Sequence, residues 1–468
     1  MTEFSMTING SAVPISETFG VVNPATGEVF DQAPGCSREQ LDAAMKSAQK
    51  TYLEWRVDEA ARRKALHAAA DALFDAVDDL APVLTAEQGK PLTDAKAEIT
   101  RASVWFNYFA DLEYPPEVIQ DNEKAFIQVV RRPLGVVAAL TPWNFPVSLA
   151  TWKIAPALLA GNTMVLKPSS FTPLATLKIG ELLARVLPPG VLNVVSGVSG
   201  LGQWMASHPV PRKISLTGST ETGMHVAAAA ALDLKRLTLE LGGNDAAIVL
   251  DDADPAAIGE KLFWGAFANN GQVCTAIKRV YVPERLYGDV VDVLAEQARK
   301  VRVGDGMTEG IRLGPINNRP QFDRVSQLVA DAISGGASAV TGGKAMDGPG
   351  YFYEPTILAN ALDGTPIVDE EQFGPALPVV AYRNLDEAVE RANSSHFGLC
   401  GSVWGKDVER AWQVAARLEC GTAWVNTHMA VQPNQPFGGW KWSGIGVENG
   451  RWGFYGFTEL QTLHLAKA

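Results

Sequence analysis

A chain of 468 residues exceeds what one hydrophobic core can organise, so two or three domains are expected. Hydrophobic residues at 47% and charged ones at 20% give an ordinary globular balance. The 52 acidic residues outnumber 40 basic ones, and the net charge of −12 argues against nucleic acid or an anionic membrane as the main partner.

Cys36, Cys274, Cys400 and Cys420 form no CxxC pair, and the six histidines show no i, i+4 pair. Neither a disulfide framework nor a metal site is expected. The first residues lack a basic segment leading into an apolar run, so no secretory signal is read. The most apolar stretch, 147–160, carries Lys153, and none is long enough to span a bilayer. The expected address is the cytoplasm.

In chain order, residues 1–36 read as short strands and turns, with Asn23-Pro24-Ala25-Thr26-Gly27 as one turn. Residues 38–111 read as helices; within them positions 65, 66, 69, 73 and 74 form one apolar stripe. Pro115-Pro116 ends the helices, and Ala125–Pro133 and 134–140 follow as strands. Then the pattern alternates. Strands at Thr163–Lys167, 192–195 and 213–216 are each followed by a helix, starting near Thr172, Gly197 and Thr217. Such alternation predicts a doubly wound parallel sheet, with phosphate ligands on helix N-termini beyond the strand ends. After Gly242-Gly243 a second α/β run begins, with strands at 246–250, 279–282, 339–341, Ala376–Tyr382, 401–403 and 423–426. The tail, 454–465, reads as a strand that pairs with another subunit.

Several stretches carry chemistry. Asn269-Asn270-Gly271-Gln272-Val273-Cys274-Thr275 places one cysteine after a glycine, between the buried helix at 262–267 and a strand. A thiolate there is a nucleophile, and a thiol is a small buried hydrophobe. Thr141-Pro142-Trp143-Asn144-Phe145-Pro146 ends a strand and presents an amide, either to a developing oxyanion or to a structural turn. Leu239-Glu240-Leu241-Gly242-Gly243 ends an apolar strand with a carboxylate, a general base or a structural ion pair. Lys167-Pro168-Ser169-Ser170 and Thr217-Gly218-Ser219-Thr220 sit where a nucleotide's hydroxyls and phosphates would lie, though neither is GxGxxG. Glu371-Gln372-Phe373-Gly374-Pro375 offers a carboxylate and an aromatic face.

Together with Pro436-Phe437-Gly438-Gly439, these stretches resemble the aldehyde dehydrogenase superfamily, in its order and at its spacing, from about Asn23-Pro24 to the tail. The resemblance implies two doubly wound parallel-sheet α/β domains plus a small β oligomerisation element. Residues 1–116 and 138–241 would bind NAD or NADP, 242–436 would be catalytic, and 117–137 with 454–468 would join subunits into a homodimer or homotetramer. It also implies that Cys274 attacks an aldehyde. Asn144 and the Cys274 N–H would hold the oxyanion, and Glu240 would activate the water that releases a carboxylic acid. Cofactor contacts carry over to Trp143, Lys167, Gly218, Ser219, Leu241, Glu371 and Phe373, with Gln321 and Arg324 as further ribose contacts. Ser170 stands where NAD-preferring relatives often carry Glu, so NADP is expected to be accepted. Phe145, Trp152, Val273, Thr275 and Phe437 would line the substrate tunnel, together with Ala268 and Ser148. This suits a medium or bulky apolar or aromatic aldehyde. One alternative passes the acyl group to CoA instead of water; another is a non-catalytic binding relative.

Overall fold

The structure is a computed structural model that describes residues 4–198 and 200–467; Ser199, in the stretch from Gly197 where a helix is expected to open, and the last residue of the tail lie outside them. Its frame is a pair of large sheets, one of eight strands and one of seven. In the first, Leu192–Val194, Thr163–Lys167, Val136–Leu140, Lys213–Thr217 and Arg236–Glu240 lie side by side and parallel. Short antiparallel strands close its edges, Thr7–Ile8 with Ser11–Ala12 at one and Gly444–Ile445 at the other. Val136–Leu140 and Lys213–Thr217 are buried along their whole length, as expected when helices cover both faces of a parallel sheet.

In the second sheet Thr356–Ala359, Ala376–Tyr382, Ile277–Pro283, Asp245–Val249, Cys400–Trp404 and Thr422–Val425 run parallel. Ser338–Thr341 joins antiparallel at the edge. The fold is α/β, as read from the alternation. Thr356–Ala359 is absent from the sequence reading; it is only four residues long and follows Pro355, too short for a period to register.

Helix boundaries follow local chemistry. Ser37 and Gln40 form a reciprocal capping box at Arg38–Trp55. Asp58 caps Glu59–Asp75 through the Ala61 N–H. That helix buries Arg62, Ala65, Leu66, Ala69, Ala70 and Leu73, whereas Phe74, which the predicted stripe includes, is 60% exposed and falls outside the buried face. One residue beyond Leu73 is a further ~100° around the helix, past the buried face.

The tail departs from expectation at its start. Residues Gly450–Tyr455 are helical, with Phe454 packed into the first core, and the strand is Thr458–Ala466. It pairs antiparallel with Ala125–Pro133, which pairs in turn with Glu117–Asp121. Among the described residues no helix is long and apolar enough to cross a membrane.

Candidate active site

The chain crosses from one sheet to the other over residues 241–244. Glu240 is the last residue of its strand, at the carboxyl end of the first sheet; Asp245 is the first of the next, at the amino end of the second. The crossing is narrow. A Cβ on Gly243 would lie 2.7 Å from the Cys274 carbonyl oxygen, and one on Gly242 would collide with the Glu371 carboxylate. Both glycines are therefore required by close approach.

Cys274 arrives at the same place from helix Pro255–Phe267. A tight turn, Ala268–Gly271, reverses the chain by setting Asn269, Asn270 and Gly271 at φ 49°, 60° and 73°. Asparagine is the non-glycine residue that best tolerates this left-handed region. Side-chain donors, two of them from distant segments, then hold the loop's carbonyls. Asn144 Nδ2 donates to Gln272 O at 3.0 Å, Lys278 Nζ to Val273 O at 2.5 Å and His428 Nε2 to Thr275 O at 2.7 Å. Burial pushes the Cys274 thiol up to about 12; Lys278 opposes this, while Glu371, Asp245 and Glu240 add to it.

Asn144 is buried between the end of Val136–Leu140 and helix Pro146–Ala160. Its carbonyl accepts from Lys90 Nζ at 2.9 Å and Asn269 Nδ2 at 3.2 Å. Lys90 is paired with Glu98 at 2.5 Å, and Glu98 accepts the Val147 and Ser148 N–H groups at the start of that helix. The amide is thus fixed by a buried ion pair that sequence reasoning missed. Phe145, expected at the substrate tunnel, lies under Lys90 Nζ, 3.9 Å from its ring centre.

Glu240 is 3% exposed, and neither carboxylate oxygen has a hydrogen-bond partner among the described residues. Burial raises its pKa well above the usual carboxylate range; Glu448 raises it further and Lys153 opposes. Lys153 Nζ contacts Glu448 Oε1 at 2.5 Å and donates to Thr217 Oγ1 at 2.7 Å. Neither Lys153 nor Glu448 was picked out as functional, although a lysine inside the apolar run 147–160 is a signal that some buried anion must meet it.

The predicted cofactor residues lie along the carboxyl ends of the first sheet. Lys167 ends its strand, donates to Pro168 O at 2.9 Å and has no carboxylate partner among the described residues. Burial lowers its pKa to about 8. Ser219 caps helix Thr220–Ala231 by accepting from the Thr222 N–H, and the Gly218 N–H donates to Glu240 O at 3.0 Å. Ser170 is half-buried. The Leu241 N–H donates to Ser443 O. Trp143 meets Phe373 edge to face at 5.2 Å. A lysine with no carboxylate partner among the described residues, a helix N-terminus and an aromatic pair, all following strand ends or loops at this site, are groups that suit a polyphosphate with a flat ring. The Glu371 carboxylate accepts from the Gly243 N–H at 3.1 Å, and burial raises its pKa. Of the two further ribose contacts expected, Gln321 donates to Gln372 O and Phe373 O, and Arg324 donates to Glu370. They hold the loop that carries Glu371 and Phe373.

An aromatic cluster packs against the thiol. Trp152 stacks on Trp105 at 5.8 Å and meets Phe437 edge to face at 5.3 Å. Phe437 packs with Leu399, Cys400 and Trp424, and Cys274 packs against that cluster. Val273 and Thr275 are buried on either side of the nucleophile. Trp105, Leu399 and Trp424 escaped the sequence reading, since nothing local distinguishes them from other core residues.

The model of the aldehyde dehydrogenase family matches residues 13–463. The phenylacetaldehyde dehydrogenase of Pseudomonas fluorescens is 39% identical, over 96% of this chain and 93% of that one. The NADP-dependent succinate-semialdehyde dehydrogenase of Escherichia coli is 37% identical, over 95% and 94%. A crystal structure of betaine aldehyde dehydrogenase from Staphylococcus aureus in complex with NAD+ superposes with a TM-score of 0.96 at 32% identity, covering 100% of this chain and 95% of that one.

Proposed function

The chain belongs to the aldehyde dehydrogenase family, and from that premise we propose that it oxidises a medium or bulky apolar or aromatic aldehyde to its carboxylic acid, using NAD or NADP. The observation that carries this reading is the convergence of Cys274, Asn144 and Glu240 at one crossing between the sheets, with an aromatic cluster packed against the thiol and with Lys167 and a helix N-terminus at strand ends of the first sheet. Cys274 attacks the aldehyde carbon, and the new oxyanion receives hydrogen bonds from Asn144 Nδ2 and the Cys274 N–H. When bound, the nicotinamide supplies the acceptor for the hydride leaving that carbon, which converts the adduct to a thioester on Cys274. Glu240 takes a proton from water as it attacks the thioester, and the Cys274 thiolate leaves. A buried carboxylate with no structural partner suits transfer to water rather than to CoA.

Lys167, Ser170 and the N-terminus of Thr220–Ala231 hold the cofactor's ribose and phosphates in this reading, within a unit of residues 1–116 and 138–241. Residues 242–436 form the catalytic unit. The sheet of Thr458–Ala466, Ala125–Pro133 and Glu117–Asp121 leaves Val118, Ile119, Leu460 and Leu465 more than half exposed. A second copy of the chain would cover those apolar side chains, giving a homodimer or homotetramer.

The test is nicotinamide reduction with short aliphatic, long aliphatic, aromatic and carboxylate-bearing aldehydes, each with NAD and NADP. Aromatic and long aliphatic aldehydes are expected to give the highest kcat/KM. A preference for the carboxylate-bearing ones would overturn the substrate assignment. Ser170→Glu places a carboxylate beside the cofactor ribose, where it repels a 2′-phosphate. The ratio of kcat/KM for NADP over NAD is expected to fall by roughly tenfold, equivalent to about 1.4 kcal/mol of discrimination. An unchanged ratio removes Ser170 from the ribose site.

A further inference from the structure

The loop that carries the nucleophile has three peptide carbonyls restrained by side chains, those of Gln272, Val273 and, past Cys274 itself, Thr275. Among the described residues the Cys274 N–H has no hydrogen-bond partner. It is a free donor beside the thiol, and its direction is set by the peptide plane it shares with the Val273 carbonyl. In a trans peptide the C=O and N–H point to opposite sides of the chain. A group that anchors Val273 O therefore aims the Cys274 N–H.

That group is Lys278. It lies four residues past the thiol, at the second position of strand Ile277–Pro283, and is 2% exposed. Its Nζ donates to Val273 O at 2.5 Å and reaches Ala276 O at 3.4 Å. The Ala276 N–H also donates to Val273 O, at 3.1 Å, so this carbonyl has two donors. No carboxylate lies within ion-pair distance of Lys278 among the described residues; Asp245 and Glu371 act on it from farther away. Its carbonyl accepts from Gln372 Nε2 at 3.2 Å and its Nζ sits 5.5 Å from the Phe373 ring centre, which tie its strand end to the Glu371 loop. A buried amine whose contacts are backbone carbonyls directs its donor strength into the peptide group it touches, because hydrogen bonds in series polarise one another.

We propose that Lys278 is a positioning residue for acyl chemistry at Cys274: by holding Val273 O it orients and polarises the peptide whose N–H receives the oxyanion. This rests on the reading of Cys274 as nucleophile. Removal of Lys278 weakens the donor without deleting it, so the loss is smaller than the ~10²–10³-fold typical when an oxyanion donor is lost outright.

The experiment compares two reactions of the same thiol. With p-nitrophenyl acetate, sulfur bonds to the acyl carbon, the tetrahedral oxyanion forms, and p-nitrophenolate departs as its C–O bond breaks. With iodoacetamide, sulfur displaces iodide from carbon and no oxyanion arises. At one pH the thiolate fraction is common to both, so it cancels from the ratio of the two rate constants. Lys278→Met is expected to lower the acylation-to-alkylation ratio about tenfold, and to lower kcat for aldehydes with little change in KM for the cofactor. An unchanged ratio overturns the proposal, whether both rates fall together, as for a lost charge or a disturbed fold, or neither moves. Lys278→Gln, which keeps a polar end in the buried seat but stops short of Val273 O, carries the same expectation should the Met variant not fold. Failure of the underlying reading shows separately: if Cys274→Ala keeps wild-type rates with both reagents, another group is the nucleophile.

Discussion

Cys274→Ala is expected to abolish aldehyde oxidation, lowering kcat/KM by at least about four orders of magnitude, because the covalent route disappears and no other group can take its place. Cys400 belongs to the apolar cluster that Cys274 packs against, but it is 5% exposed at the start of a buried strand, and burial pushes its thiol well above the ordinary range. Cys36 lies at the end of the hairpin formed by Glu17–Asn23 and Glu28–Gly35. The measurement is steady-state nicotinamide reduction alongside cofactor binding and melting temperature. Binding and melting should be unchanged, and more than ~1% residual activity would contradict the covalent mechanism. A pH consequence accompanies this. With the thiol raised to about 12, the thiolate is a minority form at neutral pH. Alkylation of the wild-type protein should then climb by up to ~10-fold per pH unit below that value. Lys278 is the neighbour that favours the thiolate, so its removal shifts this climb to higher pH.

What could be read from the sequence is what is local in the chain. Asn144 stands between prolines after a strand, Glu240 ends one, and Cys274 follows a glycine that a turn requires. Each is announced within a few residues by the elements that present it, and parallel strands alternate with helices on the same short scale. The groups that tune these side chains are not local. Lys90 reaches Asn144 across 54 positions and Lys153 reaches Glu448 across 295. His428 reaches the residue after the nucleophile across 153. A lone buried lysine gives a sequence signal that a partner exists without naming it. Family position marks Gln321 and Arg324 as ribose contacts; that their donors hold the 372–373 backbone and Glu370 depends on how two segments meet and has no local signal. The tail misreads for a related reason: Phe454 is apolar like a strand residue, and only its burial against the first core reveals a helical turn.

Glu240→Gln is expected to separate the two halves of the reaction. Thioester formation needs the thiol and the oxyanion donors, so one equivalent of nicotinamide per site should still be reduced in a burst. Hydrolysis loses its base, and the following steady rate should fall by about 10²–10⁴-fold. Loss of the burst as well would place Glu240 in the first half. The direction of the pH effect follows from the protonation state required. Glu240 acts as base only when ionised, and burial together with Glu448 holds its pKa well above the ordinary carboxylate range. Deacylation in the wild type therefore rises with pH through that raised pKa and levels above it, and in the Gln variant this rise disappears. Stability should not suffer. Both Glu240 oxygens are buried without a partner among the described residues, a condition that destabilises a folded protein, and an amide of the same shape never has to carry a charge there. A melting temperature equal to or above that of the wild type would show that this carboxylate is kept for chemistry at some expense to the fold.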